Sequence, residues 1–223
     1  MAITFLDLYN AVSAQAWSMF DADAESKEDF ETAMSTSIQK AVTEIWCSYN
    51  FPFRIKKQKI KTKAGKASYA APDGNIIKKT VSNNTVYSVK IGSNFLSLDI
   101  DYETHEAAEG LPTSFYTDMN NIYLYPTPDD VYEVEIEYAT LSVGYNTDGE
   151  KIYNLEEDGD YIDIPAKYET ILKNCLITKA MMYVIASETD ENYSGYKAQY
   201  DAAYKVLMKY ATNSLPRERR IVW

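Results

Sequence analysis

Apolar residues recur every three or four positions at both ends of this chain and every second position in the middle. Over residues 3–20, Phe5, Leu8, Val12, Ala16, Met19 and Phe20 fall on one stripe, which predicts an amphipathic helix. The polar run 21–26 breaks it. Ser26 with Asp29 three residues on is a weaker form of the capping box and opens a second helix bearing Phe30, Met34, Ile38, Ala41, Ile45 and Tyr49. That helix is expected to end at Asn50, because Pro52 disfavours α geometry in the residue before it.

From Phe51 to about Tyr145, short β-favouring runs alternate with Gly, Pro and Asn punctuation. The clearest strand is Val131 to Tyr138. Tyr132, Val134, Ile136 and Tyr138 share one face, expected to be buried, and Glu133, Glu135 and Glu137 share the other, expected to be wet and negative. Residues 121–125 read as its antiparallel partner, joined through Pro126 to Asp130. An acidic, turn-rich stretch from Asn146 to Asp163 leads back to helix, with Pro165 at a first-turn position. Tyr168, Leu172, Cys175, Lys179 and Met182 mark one side of this third helix, and Ile171, Leu176 and Tyr183 widen its apolar face. A break at 187–190 precedes a fourth helix with Tyr196, Tyr200, Ala203, Leu207 and Tyr210 inward.

The expected fold is therefore α+β. A helical bundle from an N-terminal pair (1–50) and a C-terminal pair (151–213) carries an inserted antiparallel β-rich domain (51–150), with a tail at 214–223. At 223 residues such a chain builds a core without metal or disulfide staples.

Composition changes this picture in two places. Formal net charge is −11, but the charges are segregated. Nine bases (Arg54, Lys56, Lys57, Lys59, Lys61, Lys63, Lys66, Lys78, Lys79) lie between residues 54 and 79 with one acid, Asp73; eighteen acids lie between 99 and 163 with one base, Lys151. Segregation of this kind suits complementary surfaces between subunits, a field serving function, or two solvated faces. Tyrosine stands at 20, which suits interfaces, although an AT-rich genome enriches it too. No apolar run is long enough to cross a bilayer, and the N-terminus has neither the basic region nor the cleavage site of a signal peptide. Cys47 and Cys175 sit in apolar helical patterns and read as reduced, buried thiols rather than a disulfide.

Parts for catalysis are missing from the pattern. The single histidine, His105, excludes a two-histidine metal site within one chain, and no serine sits in a Gly-x-Ser-x-Gly elbow. Gly65-Lys66-Ala67 fails as a phosphate loop, since Ile60 stands where glycine is needed and Ala67 where the loop needs Ser or Thr. The acidic run 158–163 lacks the ligand pattern of a calcium loop and reads as a solvated turn. No cofactor is expected. The basic run 54–66, with Ile55, Ile60 and Ala64 among its lysines, leaves open a nucleic-acid surface and with it a DNA-binding accessory factor.

Several motifs carry a resemblance. Residues 46–54 (WCSYNFPFR) and 62–72 (TKAGKASYAAP) are followed by 111–116 (LPTSFY), by 122–129 (IYLYPTPD) before the alternating strand, and by 164–168 (IPAKY) at the third helix. This order resembles the head-to-tail adaptor proteins of phages, the connector-ring or tail tubular proteins of short-tailed and crAss-like phages. The resemblance implies a structural virion protein, not an enzyme, assembled in the host cytoplasm. It implies a ring, commonly a dodecamer, docked beneath the portal, touching the next tail ring or tube protein and passing DNA through its lumen without specific binding; no membrane is involved. In that family the C-terminal segment reaches into the portal. Leu215, Pro216, Arg217, Arg219, Arg220, Ile221, Val222 and Trp223 suit that role, being polycationic and ending in an aromatic anchor. Lys57, Lys59 and Lys61 of one subunit would meet the acidic face bearing Glu133, Glu135 and Glu137 of its neighbour and fix register between subunits. Surplus acid lining the lumen would repel exiting DNA. An enzyme whose site forms only between subunits is the remaining alternative.

Overall fold

The first helix begins where two side chains satisfy each other's backbone. Thr4 Oγ1 accepts from the Asp7 amide (3.0 Å) and an Asp7 carboxylate oxygen accepts from the Thr4 amide (3.4 Å), a reciprocal capping box. In the computed structural model, which describes residues 2–19, 27–81, 84–100, 107–118, 120–185 and 190–214, this box opens α1 (Phe5–Ala16). Helix α1 buries Phe5, Leu8, Val12 and Ala16, the stripe its period predicts, while Phe20 and the Ser26 cap lie outside the described residues. Helix α2 (Lys27–Ser48) buries Met34, Ile38, Ala41, Val42, Ile45 and Trp46 and stops two residues before Asn50.

The chain divides into two compact units, one of residues 1–53 with 142–214 and one of residues 54–141. The insertion is thus shorter than residues 51–150. Residues 142–162 join the helical unit because they pair with the chain start: Ile3–Thr4, Tyr161–Ile162, Gly144–Tyr145 and Lys151–Ile152 form a four-stranded antiparallel sheet in that order. Gly144 is required there, since a Cβ would collide with the Tyr161 carbonyl.

Helix α3 (Ala166–Ile185) follows Pro165 as expected and is the hub of the helical unit. It buries Tyr168, Leu172, Cys175, Leu176, Ala180, Met181, Met182 and Ile185, apolar most of the way round, because α1, α2 and α4 (Glu191–Ser214) all pack on it. Phe51 and Phe53 stack at 5.1 Å, and Phe53 also meets Trp46 (5.5 Å) and the edge of Tyr168 (5.1 Å), so the aromatic run after α2 fills the base of this core. Helix α4 buries Tyr196, Leu207 and Ala211, with Tyr200 and Ala203 half-buried. Tyr210, read from the sequence as inward, is 46% exposed. Ten residues from Tyr200 it lies about 80° off the inner line, a place Ala211 fills instead.

In the second unit the central strand is Glu133–Thr140. It pairs antiparallel with Ile55–Lys61 on one side and with Val89–Ile91 and Gly74–Ile76 on the other. The expected partner, Asn121–Tyr125, lies in a different sheet, between Ser68–Ala70 and Ser114–Thr117. The hairpin fails for two reasons. Pro126 and Pro128 cannot donate to a ladder, and Thr127–Pro128 pairs instead in parallel with Glu109–Gly110. The lysine strand meanwhile places Lys57, Lys59 and Lys61 opposite Glu137, Glu135 and Glu133, a charge match residues 121–125 lack. Val134, Ile136, Val89, Leu96, Phe115, Ile122, Leu124 and Tyr69 form this unit's own core.

Candidate functional site

The sequence-selected charges come together on one face of the sheet in the second unit. Antiparallel register puts the lysines and glutamates in facing rows, and long side chains pair across and along them. Lys59 Nζ lies 2.7 Å from a Glu133 carboxylate oxygen; Lys57 reaches Glu135 (3.2 Å) and Glu137 (3.4 Å); Lys90 reaches Glu135 (3.3 Å) and Lys79 reaches Glu137 (2.6 Å). Hydrogen bonds to Glu135 and Glu137 hold the Lys57 ammonium above its ordinary range, and that to Glu133 does the same for Lys59. The Lys57 hydrogen bond, with Lys90 adding to it, keeps the Glu135 carboxyl below its usual value against the cost of burial.

The face expected to be wet is therefore not uniformly so, as Glu137 is 3% exposed. It is buried between Lys57 and Lys79, which reach it from two different strands, and a carboxylate enters such a place only when paired. Lys57 and Lys59 are engaged within their own chain, Lys61 is exposed, and Ile55–Lys61 is the edge strand of its sheet among the described residues. Lysines on an edge also discourage stray strand pairing. The positive face that a nucleic-acid surface needs is balanced by glutamate. Next to it, the buried Arg54 donates through Nε (3.2 Å) and Nη2 (3.0 Å) to the Thr140 carbonyl.

A second constellation escaped sequence reading. Lys179 on α3, with only 13% of its side chain exposed, pairs with Glu44 of α2 (2.8 Å) and stands over the rings of Tyr183 (5.2 Å) and Tyr200 of α4 (5.1 Å). Tyr183 Oη donates to Glu44, and Tyr204 Oη and Ser48 Oγ lie 2.9 Å apart one turn further along. Burial, with the Glu44 charge adding to it, pushes the Tyr183 hydroxyl up to about 12. Burial opposes ionisation of Glu44, yet hydrogen bonds from Lys179 and Tyr183 outweigh it and the carboxyl titrates below its ordinary value. The box ties three helices through one charge. Its only sequence trace was Lys179 sitting among apolar positions.

The acidic loop closes on itself: the buried Asp160 accepts from the amides of Glu156 (2.8 Å) and Glu157 (3.0 Å). Among the described residues no group of three His, Cys, Asp or Glu side chains is placed to hold a metal, and no described helix is long and apolar enough to cross a membrane. Cys175 is buried, its thiol pushed up to about 12 by burial, and Cys47 is exposed, against the expectation of two buried thiols. Two of the clefts among the described residues lie in the helical unit. One runs between α1 and α2 beside Glu28, Glu31 and Asp158; the other, of about 310 Å³, is lined by Gln15, Asn174, Ile177, Thr178, Gln199 and Ala203. His105 and the tail (Leu215, Pro216, Arg217, Arg219, Arg220, Ile221, Val222, Trp223) lie outside the described residues.

A family model described as SU10 adaptor protein matches residues 3–220. The chain belongs to this adaptor family. The match spans both units and agrees with the phage-adaptor resemblance carried by the aromatic run after α2, the 122–129 segment and the start of α3. No curated protein matches the adaptor chain.

Proposed function

We propose that this adaptor is a non-catalytic virion protein that forms a head-to-tail connector ring beneath the portal and surrounds the path of DNA. Family membership over residues 3–220 is the observation that carries the reading. In it, the four helices act as a bundle that forms the ring body, and the sheets of residues 54–141 face the next tail component. The tail from Leu215 to Trp223 enters the portal, with Arg217, Arg219 and Arg220 for its acidic groups and Trp223 as anchor. A chain carrying a net charge of −11 suits a conduit from which DNA must slide without sticking.

The ladder of Lys57, Lys59 and Lys61 with Glu133, Glu135 and Glu137 enters this reading as the element that fixes the register of the β unit. Reversing the three lysines is then expected to loosen that unit before it touches contacts between subunits. The deciding experiment is native mass spectrometry of the protein with the portal protein of the same phage. One copy per portal subunit, lost on deleting residues 215–223, is expected. Absence of binding to both isolated and assembled portal would move the protein to a more distal tail ring.

A further inference from the structure

Three helices pack on the hub helix α3 and leave one side of it open. Between α1 and α4 the floor of the 310 Å³ cleft is α3 itself, through Asn174, Ile177 and Thr178, and its walls are Gln15 of α1 and Gln199 and Ala203 of α4. None of the six is charged, although 25% of the chain is. The wall continues along α4 as an exposed line of uncharged residues: Asn192, Gly195, Gln199, Ala202, Val206 and Tyr210, with Val206 42% and Tyr210 46% exposed. Their spacing of three and four residues is that of a second helix-packing face, beside the one α4 already buries on α3. Of the charges of α4, Lys197, Asp201 and Lys205 lie away from this line, and Glu191 and Lys209 flank its outer edge beside Ala202.

The chain also carries a ridge of the right kind on the other side of the hub. Tyr183, whose hydroxyl bonds α2, follows Asn174 by nine residues, about two and a half turns, so α2 and the cleft flank α3 from opposite directions. The exposed ridge of α2 is Asp29, Thr32, Thr36, Lys40, Thr43 and Cys47, with two charges in six. The cleft in turn carries the side-chain amides of Asn174 and Gln199, whose oxygens are acceptors suited to an ammonium such as that of Lys40. The two faces match in level as well. The Glu44–Lys179 pair puts Thr43 at the level of Thr178 along the helices, and the Ser48–Tyr204 contact puts Cys47 at the level of Ala203. Rotation about an axis along the helices preserves those levels.

We infer that the occupant of the cleft is the α2 ridge of a second copy of this chain, which repeats head to tail. This rests on the ring reading above and names its contact. Opposed faces are what a many-membered ring requires, since each step turns the subunit by only a small angle. The contact is narrow. A helix of 22 residues is about 33 Å long and about 10 Å wide, on the order of 300–400 Å² of face against the roughly 800 Å² a standard interface takes from each partner. Single pairs are therefore weak, and the ring forms cooperatively or on the portal.

The test uses the full-length Gln199→Cys variant with native Cys47 as second thiol and a short bis-maleimide, alone and with portal protein. A ladder of covalent oligomers and peptide masses joining residues 47 and 199 are expected, both lost with Cys47→Ser. Links between two 199 cysteines that stop at dimers would overturn the inference, as would rings without a 47–199 link. Gln199→Arg, placed in the cleft wall, is expected to cut ring abundance at least about tenfold with an unchanged melting temperature. Intact Gln199→Arg rings would reject the contact and leave the ring reading standing. A wild-type protein with no oligomer in either setting removes both.

Discussion

Replacing Lys179 by methionine isolates the worth of the three-helix box. Methionine keeps the apolar stem and volume that pack between Tyr183 and Tyr200 and deletes only the ammonium. Three interactions go with it: the 2.8 Å pair with Glu44 and two ring contacts at 5.2 and 5.1 Å. Each ring contact is worth about 0.5–1 kcal/mol, and more where water is excluded, as around a lysine 13% exposed. The ion pair adds about 1 kcal/mol, because Glu44, 46% exposed, turns to solvent once its partner is gone. Relief of lysine desolvation returns part of this, so the net cost is about 2 kcal/mol. For a unit of this size that is a fall in melting temperature of roughly 6–10 °C. Tryptophan fluorescence reads it in a Trp223→Phe background, since Trp17 and Trp46 belong to the helical unit and residues 54–141 contain no tryptophan. In a double-mutant cycle with Glu44→Gln, a coupling of about 0.5–1.5 kcal/mol is expected. A Lys179→Met protein as stable as wild type, or a coupling near zero, would refute the assignment of the box as the tie between α2, α3 and α4.

Glu44 gives the same site a pH signature. Its carboxyl is depressed in the folded state, so its contribution is present above the ordinary value of 4.5 and lost as pH falls through the lower folded value; Glu44→Gln should flatten the acid limb of a stability-against-pH curve. Gly144→Ala pushes a methyl into the Tyr161 carbonyl and is expected to cost more than about 2 kcal/mol, seen as a lowered denaturation midpoint in urea. Arg54→Lys loses the paired donation to the Thr140 carbonyl and should cost about 1–3 kcal/mol in the second unit, read by near-ultraviolet circular dichroism of its tyrosines. Thiol titration at pH 8 should count one reactive cysteine, Cys47, and a second only in denaturant; rapid labelling of both would place Cys175 wrongly.

The helices were legible in the sequence because each satisfies a single period. Phe5, Leu8, Val12 and Ala16 need only one neighbour to be buried, and α3 betrayed its hub position by apolar residues on nearly every side. The strands were legible individually but not in their pairing. Nothing local to Glu133–Thr140 says whether its partner lies ten residues away or seventy, and proximity in the chain favoured the wrong one. The segregated charges contained the answer, since rows of lysine and glutamate at the same period are cross-strand partners within one chain before they are surfaces between two. Tyr210 misled because tyrosine satisfies either side of a helix, and only its angle from Leu207 and Ala211 separates inner from flanking. The Lys179 box joins residues 44, 179 and 200, a combination no local pattern contains.

The pairing of Ile55 with Ala139 has a bearing on how such a chain can change. Partners in an antiparallel ladder sit about 5 Å apart, so residues 54–141 leave and re-enter the rest of the chain through one doorway. A short turn could close that doorway, making the β unit a cassette that evolution can lengthen, trade or discard while the helical core stays intact. Changes confined to residues 54–141 then leave the sequence and core of the helical unit as they were.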